Sequence, residues 1–149
     1  MTKIESLVIA LASEAHKRVW TTGSNVSKQT RSAQAVCGVW QDAVRTELGN
    51  RFAAELGLGH DAVNEKIDLV DTKERVAYEL KASEKNPHME FYRDIFKVLV
   101  FNRRNPKNQL RKLIFITPEK GAAKLDKAFA KDVTAIAFKA GVEVEIAPI

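Results

Sequence analysis

A single cysteine, Cys37, occurs in the 149 residues. One thiol closes no intramolecular disulfide and furnishes no cysteine-rich zinc site. It lies among Val36, Gly38 and Val39 in a helical pattern and reads as a small core residue. Long apolar runs are also lacking. The first apolar stretch, residues 7–12, is short and is followed by Glu14, His16, Lys17 and Arg18. It fits neither a secretory signal nor a membrane span, which needs roughly 20 apolar residues. The expected setting is the reducing cytoplasm, with no membrane partner. No Ser/His/Asp set, Cys/His pair or phosphate-binding glycine loop stands out. His16 and His60 are isolated and read as surface positions.

Acidic residues are absent from Ile95 to Thr117, a stretch that holds Lys97, Arg103, Arg104, Lys107, Arg111 and Lys112. The chain as a whole carries a formal charge of +5. A basic balance favours nucleic acid or another anionic partner. The hydrophobic share is 45% and the charged share 29%, which places the chain among ordinary globular proteins. With no repeat or linker, 1–149 reads as one domain: 1–31 an N-terminal helix and loop, 32–149 the core.

Ile4, Leu7, Val8, Leu11 and Ala15 recur at helical spacing and predict an opening helix. Residues 21–31 are polar and read as a loop. From Ser32 a second helix buries Val36, Trp40, Val44 and Leu48, and its pattern extends towards Leu56 unless Gly49-Asn50 ends it. Residues 66–71 and 75–83 are rich in strand formers and predict a hairpin. Asn86-Pro87 starts a third helix with Tyr92, Ile95, Phe96 and Leu99 on one face. Residues 102–109 read as a polar loop, and 113–117 as a strand covered on both faces. Residues 121–140 predict a fourth helix with Leu125, Phe129, Val133 and Ile136 inward, stopped by Gly141. Residues 142–146 are a last strand. This succession predicts an α/β fold: a mixed four-stranded sheet flanked by helices, with an extra N-terminal helix.

Strand alternation puts Ala77, Glu79, Lys81 and Ser83 on one face, opposite Val76, Tyr78 and Leu80. In a hairpin, Asp68 on the preceding strand faces Glu79. Two carboxylates hold magnesium through hard oxygens, and a neighbouring lysine serves the attacking water or the charge on the phosphate. Asp68-Leu69-Val70 followed by Glu79-Leu80-Lys81 resembles the motif of the PD-(D/E)XK, restriction-endonuclease-like nuclease family, with Ile67 in place of the nominal proline. The order of elements from Ser32 onward also resembles that family's core. The resemblance implies that Asp68, Glu79 and Lys81 are catalytic. It implies that Asp68, Glu79 and the Leu80 backbone carbonyl ligate Mg2+, with Mn2+ able to substitute.

A helical acidic residue often joins such a site. Glu47 is the candidate, because a helical wheel sets it in the apolar stripe, where an unpaired carboxylate is costly. An ion pair with Arg51 is the competing reading, and Glu55 is the rival ligand. Asp71 competes with Asp68 but lies nearer the turn. The DNA-binding candidates are Ser83, Lys97, Arg103, Arg104, Lys107 and Arg111, with phosphates as their targets. Lys28 and Arg31 belong either to a second contact or to a mere connector. His88 and Glu90 are either supporting groups of the site or a polar helix start.

The expected activity is a Mg2+-dependent DNA endonuclease that hydrolyses phosphodiester bonds in double-stranded DNA, such as a small type II restriction enzyme. A homodimer is expected, because two strands need two sites, and the first helix is the expected dimer surface. The alternatives are a structure-specific resolvase or repair nuclease, or a non-catalytic nucleic-acid-binding module of the same fold.

Overall fold

In the computed structural model the backbone is described for residues 1–20 and 26–149, and the side chains for 1–20 and 30–149. Helix α1 (Lys3–Val19) opens on a capping box in which Thr2 and Glu5 bond each other's backbone N–H. Helix α2 (Val26–Leu48) follows, and a 3-10 turn (Gly49–Arg51) leads into strand β1 (Phe52–Gly57). Strands β2 (Lys66–Asp71) and β3 (Val76–Leu80), helix α3 (Pro87–Arg104), strand β4 (Lys112–Thr117), helices α4 (Glu119–Leu125) and α5 (Ala128–Lys139) and strand β5 (Glu143–Pro148) complete the order.

The five strands form one open mixed sheet, β1-β2-β3-β4-β5. The first three run antiparallel, while β3–β4 and β4–β5 are parallel. Each parallel step crosses over through helix, as it must. Helices α1 and α2 cover one face, where Val8, Val36, Trp40 and Val44 pack on Leu69, Tyr78, Ile114 and Ile116. Helices α3, α4 and α5 cover the other, where Phe91, Ile95, Val98 and Leu125 meet Ala77, Leu113 and Phe115. Strand β4 is buried along its whole length, as its unbroken apolar run predicts. No helix among the described residues is long and apolar enough to cross a membrane.

Several expectations are corrected. The sheet has five strands, not four, because residues 52–57 pair with β2 instead of prolonging the second helix. Gly49, at φ +76, takes the left-handed turn that ends the helical run. Residues 26–31 are helical, so α2 begins before Ser32, while 21–25 and the Lys28 side chain lie outside the described residues. The helix expected over 121–140 is two helices, broken at Asp126 and Lys127. Phe129 and Ile136 are exposed, and Ala130 and Ala137 are buried in their place. Phe96 on α3 is likewise exposed. Helix α1 buries Val8, Ala12 and Ala15 against α2, and the Trp40 indole donates to the Val8 carbonyl at 3.1 Å. Its apolar stripe is therefore spent inside the chain.

Candidate metal and active site

The ladder between β2 and β3 runs Asp71↔Val76, Val70↔Ala77, Leu69↔Tyr78. The ladder stops at Leu69↔Tyr78; one further step of the same register would set Asp68 against Glu79. In its place the Leu80 N–H donates to Asp68 Oδ2 at 3.0 Å. On the other flank the β1–β2 register passes from Ala54↔Leu69 to Leu56↔Ile67 and skips Glu55, which stands opposite Asp68 at φ +52. Gln41 of α2 fills the gap. Its Nε2 donates to the Asp68 carbonyl at 2.7 Å and to Glu55 Oε1 at 2.8 Å. Side-chain alternation also slips here, for Ile67 packs under α3 while Leu69 packs under α1 and α2. Asp68 thus sits where the sheet locally comes apart and backbone groups turn to side chains.

Glu79 lies on the face opposite Tyr78, as the alternation of β3 predicts, and the face it takes is the one covered by α3. Lys97 Nζ lies 2.6 Å from Glu79 Oε1 and 2.8 Å from Asp94 Oδ1, and donates to the Lys66 carbonyl at 2.7 Å. Glu79, Asp94 and Lys97 are all buried, Glu79 to 3% exposure. Glu79 Oε1 is buried and is held by the Lys97 ammonium at 2.6 Å. Burial raises the Asp68 carboxyl above its ordinary range, although the Leu80 N–H and Lys97 oppose the rise. Burial, then Asp68 and Asp94, raise Glu79 well above its usual value. Burial pushes Asp94 up to about 7, even with Lys97 beside it. Burial works against the Lys97 ammonium, but Glu79 and Asp94 outweigh it and raise its pKa.

These groups line a cleft of about 200 Å³ between α3 and the diverging ends of β2 and β3, together with Leu80 and Glu90. Lys81 is held to Glu90 Oε1 at 2.7 Å, on the α3 side of the sheet. The donor set is hard oxygen, suited to Mg2+ or Mn2+. The buried Glu79 oxygen already carries one cation, the Lys97 ammonium. On the α2 side, Cys37, Glu55 and Asp68 bring one ligand atom each within 4.8 Å of one another.

Of the residues expected from sequence, Asp68, Glu79 and Leu80 come together, with Lys81 linked through Glu90. Glu47 does not join them: it is exposed and lines a groove between α1 and α2. Glu55 approaches Asp68, but from a strand rather than a helix. Arg51 pairs with Asp71, not with Glu47.

Apart from Lys97, the basic segment does not line the cleft. Its other cations begin with Arg103 and Arg104 at the C-terminus of α3, about 15 Å along the helix from Asp94 at the usual rise. Arg104 is committed to Asp61 and the Leu58 carbonyl, and Arg111 to Glu74. Lys97 is buried among carboxylates instead of offered to phosphates. Ser83 Oγ caps the Lys85 N–H at 3.1 Å. Arg103 and Lys107 are exposed, and neither makes an ion pair among the described residues.

Sequence reasoning missed Asp94 and Gln41. A signal for Asp94 existed: with Lys97 it forms an i,i+3 pair of opposite charge beside the buried Phe91, Ile95 and Val98. Comparisons with protein-family models, curated proteins and solved structures find no match for the chain.

Proposed function

We propose that this chain is a metal-dependent endonuclease that hydrolyses DNA phosphodiester bonds, with Asp68 and Glu79 as its metal-holding carboxylates. The observation that carries the reading is that Asp68 and Glu79 line one cleft at the point where β2 and β3 part. Glu79 is buried and Asp68 half-buried, and desolvation raises both carboxyls, a cost that a bound cation would offset. The same reading takes the sheet and the helices from α2 onward as a restriction-endonuclease-like core, with α1 as the extra N-terminal helix.

Asp68, Glu79 and the Leu80 carbonyl would hold the divalent ion. When bound, it neutralises charge on the scissile phosphate and lowers the pKa of the attacking water. The protein's own contributions are positional. The Leu80 N–H keeps Asp68 turned into the cleft. Glu90 keeps the Lys81 ammonium on the same side as Glu79, where it donates to charge developing on the phosphate. The homodimer stays part of this proposal, because paired cuts need paired sites; sedimentation equilibrium tests it.

The direct test is incubation with duplex, nicked and branched DNA in Mg2+ or Mn2+. Cleavage by the parent, lost in Asp68→Asn and Glu79→Gln, supports the reading. Variants that cut as well as the parent sink it. Discrete plasmid fragments point to restriction, and cutting of branched substrates alone to a resolvase.

A further inference from the structure

The carboxylate cluster contains a cation of its own. Asp68, Glu79 and Asp94 share one cleft, and the Lys97 ammonium touches two of them, at 2.6 Å and 2.8 Å. Lys97 is not a surface residue that strays inward. It is buried, and the Lys66 carbonyl takes one of its protons at 2.7 Å, which fixes the ammonium in place from a third direction. Glu65 and Glu90 also border the cleft, but each is paired with a cation of its own, Arg93 and Lys81. Asp68, Glu79 and Asp94, when ionised, stand against one ammonium and leave two negative charges, the charge of a single divalent ion. In a poorly solvated cleft such a balance matters, because uncompensated charge of either sign is costly there.

We infer that Lys97 permanently occupies one cation position of this cluster and thereby limits the site to one divalent ion. The inference rests on the metal reading above and adds the number of ions and the residue that sets it. Lys97 is a positioning residue here. It touches Glu79 and Asp94, and acts on the metal through them. Its role as a phosphate contact is replaced by this one.

The count is measurable on the full chain without DNA, by Mn2+ titration calorimetry on metal-stripped protein. The parent should bind one Mn2+. Lys97→Met should bind two, and its metal-free form should melt lower than the parent and recover when Mn2+ is added. Lys97→Arg should keep the count at one.

Asp94→Asn provides a test that does not need the Lys97→Met variant to fold. It should weaken Mn2+ binding roughly tenfold to a hundredfold, as loss of an outer carboxylate does. Asp94→Asn combined with Lys97→Met should regain that affinity, because the ammonium that repels the ion has gone. A double variant no tighter than Asp94→Asn overturns the inference. So does a parent that binds two ions, or a Lys97→Met protein that still binds one with unchanged affinity. A parent that binds no divalent ion overturns the metal reading itself and the inference with it. DNA cleavage plays no part in these readouts, so failure of the nuclease proposal is scored separately.

Discussion

Asp68 Oδ2 takes the Leu80 N–H at 3.0 Å, a bond that replaces the ladder contact β2 and β3 would otherwise make. The side chain that would hold a metal is thereby tied to the backbone of the residue between Glu79 and Lys81. Position and chemistry are coupled at one atom pair: a change at Asp68 alters both a ligand and the path of β3 towards Lys81.

That coupling sets the outcome of substitution at Asp68. Asp68→Asn keeps an oxygen for the Leu80 N–H but loses the charge. Cleavage should fall on the order of a thousandfold or more, since metal-assisted charge stabilisation is worth several kcal/mol. Metal-free thermal stability should hold or rise, because the raised Asp68 carboxyl is itself a desolvation cost. Calorimetric melting beside a cleavage assay checks both. Loss of stability equal to a core truncation would mean that Asp68 is structural.

Asp94 gives the metal-free protein a pH dependence. Its folded pKa is up to about 7, against a reference of 3.8. A raised carboxyl favours folding fully below the unfolded value, and that contribution is lost as pH climbs through the folded one. Metal-stripped protein should therefore melt at a lower temperature at pH 8 than at pH 5. The charges facing Asp94 are Lys97, Asp68, Glu79 and Glu90, so Asp94→Asn should reduce the drop without abolishing it. Added Mn2+ should restore the pH 8 melting temperature. A melting curve that is flat over this range, or that rises, contradicts the burial described for Asp94.

Glu47→Ala should leave Mn2+ affinity unchanged and stability within about 0.5 kcal/mol, as for an exposed position away from special contacts. Glu55→Ala should weaken Mn2+ binding severalfold, because Glu55 stands beside Asp68 and shares Gln41 with it. The reverse ranking would restore the helical site read from sequence.

That contrast shows what was legible in the chain. The apolar stripe of Val36, Trp40 and Val44 identified α2, and the alternation of residues 76–81 separated Glu79 from Val76 and Tyr78. Both are local periodicities. Extending the helical wheel past Leu48 failed, because the run ends in a glycine turn and Phe52 enters the sheet instead. A six-residue strand at a sheet edge carries too little pattern to compete with a long helix beside it. The same extension keeps Glu55 on a helix, whereas Glu47 lies within α2 and is exposed at its last turn, beyond the buried stripe. Asp94 escaped for another reason. Its burial depends on Glu79 and Lys97, which only the tertiary fold brings together. The helices over 119–139 were misphased because their apolar residues outnumber the positions they bury, leaving Phe129, Ile136 and Phe138 exposed.

The basic segment yields a separable prediction for DNA binding. Arg103 and Lys107 are exposed and uncommitted, whereas Arg104 is engaged with Asp61 and the Leu58 carbonyl. If phosphates meet this end of α3, the two free cations are the ones that release counterions. Arg103→Ala with Lys107→Ala should lower the slope of log affinity against log salt by up to about 1.8, at roughly 0.9 per phosphate contact on duplex DNA. Melting temperature should hardly change. Arg104→Ala should behave in the opposite way: a small loss of stability, because it frees the loop around Asp61, and little change in the salt slope. Filter binding or fluorescence anisotropy from low to high salt, on catalytically silent Glu79→Gln protein, separates the two. An unchanged slope in the double variant would remove this surface from the DNA path and leave the cleft itself as the place where the substrate is gripped.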